Sequence, residues 1–221
     1  MDDFKIIDMA GNQETQFTHD TFRRSGFTEN ASLTLITNIT ESNIKDAIRV
    51  AESAKASESV TAGIISGSIN PLNQNMKRLS DIADAVILSP GKTEDSSRRI
   101  IEAVSDLVTK TGFVNIDIED VNEILRDAGT VYFGAGTAED SRTAAKIACE
   151  MCGNVSGAKR FLVNITTGTE VMLSDMSDAA HVIDMKADPE AHVIWGHVMD
   201  DDLGEKVRVS VLAAMNDKGK L

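Results

Sequence analysis

Between residues 112 and 120 the chain reads GFVNIDIED, which sets two carboxylates, Asp117 and Asp120, three positions apart and an amide, Asn115, two residues before them. Carboxylates at that spacing can hold and aim a water molecule or a metal ion, and positioning of that kind is most of what phosphoryl transfer asks of a protein. The same Asp-x-x-Asp opens a segment with Val121, Ile124 and Leu125 on one face, so it also reads as a helix N-cap with an acidic third residue. A cap needs only one aspartate. Gly112, Asn115 and both aspartates together exceed that requirement, which favours a chemical use.

Other groups capable of chemistry read differently. Cys149 and Cys152 form a C-x-x-C, but they fall late in a helical pattern whose apolar stripe is Ala145, Ala148, Cys149 and Cys152. A redox pair would sit at a helix N-terminus, where the dipole lowers the thiol pKa, so packing is the expected role. His181, His192 and His197 lie in a helix and a strand with no carboxylates that the sequence shows converging on them; structural or surface roles are expected, and no metal site. Trp195 and Tyr132 read as packing residues. The sequons at Asn30, Asn38, Asn154 and Asn164 are not expected to be glycosylated, since MDDFKIIDMAG does not read as a secretory leader.

The elements that must carry these residues follow from periodicity. Residues 4–9 and 33–37 read as strands, and Thr40 is positioned to cap a helix in which Ile44, Ala47, Ile48 and Ala51 recur at helical spacing. A strand at 61–69, a helix at 73–83 and a strand at 85–90 continue the alternation, with Pro71 and Pro90 as breaks. A long helix at 93–109, with Thr93 as N-cap, presents Ile100, Ile101, Val104, Leu107 and Val108 on one face. Beyond it, strands at 130–136, 160–167, 192–199 and 206–214 mix with helices at 139–152 and 175–187. The last strand alternates Val207, Val209 and Val211 with Arg208 and Ser210, the pattern of a sheet solvated on one face. The fold class is therefore α/β: a shortened Rossmann-like parallel sheet with helices, a long central helix, then a second, mixed α/β domain. Domains of 1–110 and 111–221 are expected.

Composition sets the outer bounds. With 221 residues and 42% hydrophobic content the chain can bury one generous core or two modest ones. Lys and Arg number 22 against 35 Asp and Glu, a formal charge of -13, so the surface repels nucleic-acid backbones and anionic membranes alike. No segment has the length and apolarity of a membrane span, and a cytoplasmic location is expected.

Three stretches together resemble the FtsZ and tubulin superfamily of cell-division GTPases. GFVNIDIEDV at 112–121 is similar to the family's synergy loop, G-x-x-N-x-D-x-x-D, with Gly112, Asn115, Asp117 and Asp120 in place. GTVYFGAGTAEDSRTAAKIA at 129–148 is similar to the strand, glycine turn and helix that follow that loop. AKRFLVNITTG through ADPEAHVIWGHVMDDDLGEKVRVSVLA looks like nearly all of the rest of the family's C-terminal domain. The resemblance covers about residues 93–214.

Upstream it thins. Where the family has the phosphate-cradling loop GGGTGTG, this chain has NITESN, whose side chains obstruct close backbone approach and whose Glu41 adds like charge. Gly11 and Asn12 in FKIIDMAGN resemble a remnant of a second glycine-rich turn, and Asp95 matches a position that contacts the guanine base, although Glu94 replaces the neighbouring Asn. Only about twenty mostly polar residues stand where the family carries further strands, helices and a ribose-contacting loop. After the last strand comes only NDKGKL, without the family's flexible tail.

The resemblance implies that Asp117 and Asp120, with Asn115, act in trans on a nucleotide held by a neighbouring subunit. It implies vestigial nucleotide contacts at Asp95, Gly11 and Asn12, and no cofactor beyond residual GTP or GDP. The expected partner is a full-length FtsZ-like protein or another copy of the chain. A regulator or cap of FtsZ-type filaments is the leading expectation. The alternatives are a residual self-assembling GTPase and an FtsZ scaffold that binds an unrelated partner.

Overall fold

Runs rich in Val, Ile and Leu alternate with amphipathic segments, and they fold accordingly into one eight-stranded sheet covered by helices on both faces. The structure, a computed structural model, describes residues 4–9, 31–66, 69, 73–88, 94–110, 112–168 and 173–218. Gly11, Asn12, Thr93 and the polar segment 13–30 lie outside the described residues.

Strands β1 (Phe4–Asp8), β2 (Leu33–Ile39), β3 (Val60–Ile65), β4 (Ala85–Leu88) and β5 (Gly129–Ala138) pair in parallel in that order. β8 (Val207–Ala214) then runs antiparallel to both β5 and β6 (Arg160–Thr167), and β7 (His192–Met199) pairs parallel with β6 at the outer edge. The sheet order is β1-β2-β3-β4-β5-β8-β6-β7, so hydrogen bonding continues across the connection at residues 110–111. The α/β architecture is the expected one.

One face carries α3 (Glu94–Thr109) and α4 (Ile118–Leu125). Ile100, Val104, Val121 and Ile124 pack there against Leu35, Ile87, Phe133, Leu162 and Leu212, which come from both halves of the sheet. The opposite face is covered in two parts. α1 (Ile44–Ala56) and α2 (Gln74–Ile82) cover β2–β4, while α5 (Ser141–Cys152) and α6 (Leu173–Asp184) cover β5–β8. Packing rather than propensity holds these helices. Burial of Ile44 and Ile48 alone gives α1 about 3 to 6 kcal/mol.

Two local expectations are corrected. Thr40 does not cap α1: the N-cap position is Asn43, whose side chain makes no cap bond and instead turns back to accept the Thr40 N–H at 2.8 Å. Strand β8 is not solvated on one face. Ser210 is buried and Arg208 half-buried, because α3, about a hundred residues earlier in the chain, covers the side that alternation alone assigns to water.

Candidate functional site: the loop between α3 and α4

The segment leaving α3 is laid along the outer edge of β7. The His197 N–H donates to the Val114 carbonyl at 2.9 Å, so the loop partly covers the edge of the sheet. Such close approach is possible because Gly112 has no side chain: a Cβ there would fall inside the His197 carbonyl. Gly196 matters for the same reason, since a Cβ there would meet Ile116 Cδ1 at 2.5 Å and Leu107 Cδ2 at 2.7 Å. Two glycines distant in sequence therefore let one loop and one helix close on β7.

Within the loop each motif residue has a defined place. Asn115 Oδ1 accepts the Gly112 N–H at 3.2 Å and closes the turn. Ile116 and Ile118 are buried and anchor the segment, whereas Phe113 is 72% exposed and Val114 38%. Asp117 Oδ1 accepts the N–H groups of Glu119 at 2.9 Å and Asp120 at 3.0 Å, and Asp120 Oδ2 accepts the Asp117 N–H at 3.0 Å. This reciprocal capping box uses both aspartates, so the structural requirement is larger than the single cap inferred from sequence. The second oxygen of each, Asp117 Oδ2 and Asp120 Oδ1, makes no hydrogen bond among the described residues and remains available to water, metal or a partner.

Along α4 these carboxylates open onto a groove of about 810 Å³ lined also by Glu119, Glu123, Asp127 and Arg160. Acidic groups outnumber basic ones on this surface. Arg160 is already committed: it donates to the Glu123 and Arg126 carbonyls and to Asn216 Oδ1, holding the C-terminal end of α4 against the sheet. Burial depresses its pKa, and Asp127 and Glu123 act against that shift.

Beneath the start of the loop, Lys110 at the end of α3 bonds Asp106 at 3.0 Å and Asp200 at 3.2 Å, and Arg208 of β8 reaches Asp200 at 3.2 Å. Burial works against the Lys110 charge, yet the two carboxylates hold its pKa above the ordinary lysine value. The cluster ties the end of α3 to the turn after β7, which carries the loop.

The loop after β2 is arranged differently. It lies at the C-terminal ends of the parallel strands, where open α/β sheets receive ligands. Asn38, at φ 55°, donates to Asp8 Oδ1 at 2.7 Å and accepts from Ser66 Oγ at 3.1 Å, and Ser66 meets Ser97 of α3. The Asn43 amide donates to the carbonyls of Asn38 at 3.0 Å and Met9 at 3.2 Å. Polar groups here are thus bonded to one another across β1, β2, β3 and α3.

Asn115, Asp117 and Asp120 come together in one loop, as their spacing suggested. The backbone of Asp95 lies in the first turn of α3, and Gly11 and Asn12 are outside the described residues. Cys149 and Cys152 are buried in the apolar core; burial raises both thiol pKa values, as packing residues require. His181 and His192 are exposed. His197 has a structural role, one of the two expected for it, but its contact with the loop was not legible in the sequence. It is 1% exposed and accepts the Phe113 N–H at Nδ1, 84 positions away. Among the described residues no helix is long and apolar enough to cross a membrane.

Comparison with known proteins bears on the fold and on the C-terminal half. Residues 129–216 match the FtsZ family C-terminal domain. Cell division protein FtsZ 1 of Thermococcus kodakarensis is 32% identical over 115 residues, which make up 49% of this chain and 31% of that protein. In structure, the chain is similar to an empty FtsZ dimer of M. jannaschii, with a TM-score of 0.71 and 20% identity, over 84% of this chain and 64% of that one. It is also similar to TubZ of Bacillus thuringiensis serovar israelensis from GDP-form protofilaments, with a TM-score of 0.54, 11% identity, and 84% and 62% coverage. The matches therefore span less than two thirds of each of these relatives. Residues 129–216 are thus similar to the C-terminal domain of the FtsZ family, and the fold is the one seen in FtsZ and TubZ.

Proposed function

We propose that this chain docks the face carrying Gly112–Asp120 on the nucleotide-bearing end of an FtsZ-type subunit and, having no competent phosphate cradle of its own, caps or regulates the filament. The observation that carries the reading is the contrast between the two loops. One presents two carboxylate oxygens and an exposed Phe113 on a fully bonded frame. The other, at 38–43, contains no glycine and turns the Thr40 N–H inward to Asn43. A backbone amide already bonded inside the protein does not help to hold a phosphate.

In such a complex the free oxygens of Asp117 and Asp120 would aim water or a metal ion at the partner's γ-phosphate, with Asn115 fixing the turn that presents them. The chain would then stimulate hydrolysis in its neighbour without turning over nucleotide alone. Co-sedimentation and light scattering with full-length FtsZ from the same cell, in GTP, test this. Binding with shortened or fewer filaments is the expected result, and absence of any interaction would overturn the reading. Calorimetry with GTP covers the alternative of a residual GTPase: micromolar affinity for the isolated chain would replace the capping account.

A further inference from the structure

We infer that His197 is the positioning residue of the docking loop: as a neutral Nε2–H imidazole it latches the Phe113 N–H and thereby sets how the exposed Phe113–Val114 tip is presented. The inference rests on the docking reading for its functional half and on hydrogen-bond donor logic for the rest.

A backbone N–H can only donate, so the 3.2 Å contact from Phe113 N makes Nδ1 of His197 an acceptor, which it can be only when that nitrogen carries no proton. The opposite nitrogen agrees. Thr167 Oγ1 donates its own proton to the Gly168 carbonyl at 3.0 Å, leaving the hydroxyl oxygen to accept from Nε2–H, also at 3.0 Å. The tautomer is thus specified from both sides. The Phe113 ring lies over the imidazole with centroids 5.3 Å apart and an interplanar angle of 42°, so ring and amide are held by the same residue. His197 also donates its own N–H to the Val114 carbonyl, and its carbonyl faces Gly112. One buried residue therefore touches three successive loop residues, Gly112, Phe113 and Val114, just ahead of the aspartates.

Charged groups on the surrounding elements are occupied elsewhere. Asp106 of α3, Lys110 just after it, Asp200 after β7 and Arg208 of β8 bond one another, and Asp178 of α6 pairs with Arg142. A proton on Nδ1 would replace the acceptor with a second donor facing an N–H, and the Phe113 amide would lose its partner.

The test is made on the full chain. In the wild type, ¹⁵N ring shifts should show a pyrrole-like Nε2 and a pyridine-like Nδ1 at neutral pH; the reverse assignment overturns the latch. In His197→Phe, which keeps a ring beside Phe113 and removes the acceptor, the Phe113 amide should exchange with deuterium at least tenfold faster while Ala148 in α5 is unchanged. Equal exchange at Phe113 in a folded variant overturns the latch, and if this variant does not fold, the wild-type ring shifts decide. Affinity for FtsZ filaments should fall about tenfold in the same variant, and unchanged affinity despite faster exchange would remove the positioning role. Failure of the wild type to bind refutes the docking reading alone, because the latch is judged by the ring and the amide without a partner.

Discussion

The loop after β2 and the loop before α4 are both polar connections in the same α/β framework, but they use their hydrogen-bonding groups in opposite ways. Around Asn38 and Asn43, side chains turn inward and bond the backbone and one another. Around Asp117 and Asp120, each carboxylate gives one oxygen to the helix start and keeps one without a hydrogen bond among the described residues. The first arrangement stabilises a junction of three strands and a helix. The second stabilises the start of a helix with one oxygen of each carboxylate, and it is this difference on which the proposed contact role of the second loop rests.

The largest effect should come from Gly112→Ala. The added Cβ cannot coexist with the His197 carbonyl, so the loop must lift from β7, with a loss on the order of 2 to 3 kcal/mol in urea unfolding. The loop at 40–43 contains no glycine, which makes this substitution the clearest way to disturb the 112–117 loop alone.

Asp217→Ala should be next. Asp217 accepts the Thr130 N–H at 2.7 Å and the Thr130 hydroxyl at 3.2 Å, fastening the segment after β8 to the start of β5. Losing both bonds should cost about 1 to 2 kcal/mol in the same measurement, with no change in filament binding. An equal loss of binding would mean that the contact face extends to this end of the groove.

Asp117→Ala should cost about 1 kcal/mol as a lost N-cap, whereas Asp117→Asn should cost only a few tenths because asparagine caps equally well. The pair sharpens the comparison. If Asp117→Asn keeps stability but loses stimulation of the partner's GTP hydrolysis, the free oxygen is chemical; if both properties survive, the aspartate is a cap only.

The smallest effect is a pH dependence. Burial lowers the His197 pKa in the folded chain below its unfolded value of about 6.5, so folding favours the neutral ring. That stabilisation is fully present above about pH 6.5 and is lost as pH falls toward and through the depressed folded value. Urea midpoints should therefore decline on acidification from neutral pH in the wild type, and this component should vanish in His197→Phe.

Much of this organisation was legible in the sequence because it is local. Ile44, Ala47, Ile48 and Ala51 marked the buried face of α1, and Asp117-x-x-Asp120 marked the start of α4 to the residue. What was not legible depends on residues far apart. Thr40 and Asn43 compete for one helix start, and Asn43 does not cap it because its Oδ1 accepts the Thr40 N–H while its amide donates to the carbonyls of Met9 and Asn38, bonds that no local pattern announces. Arg208 and Ser210 looked solvent-facing because alternation describes only their own strand and not α3 above it. His197 looked like a strand residue of no special kind. Gly196 beside it, requiring close approach by another element, was the signal that could have drawn attention to that edge.

The most direct measurement of the central claim is site-directed photo-cross-linking from the loop. Glu119 is exposed beside the two aspartates, so a benzophenone attached to Glu119→Cys, with Cys149 and Cys152 buried, reports what that face touches. Mixed with full-length FtsZ and GTP, it should yield an adduct mapped to peptides lining the partner's nucleotide site. Adducts confined to another surface of FtsZ, or none under conditions where FtsZ assembles, would contradict the account.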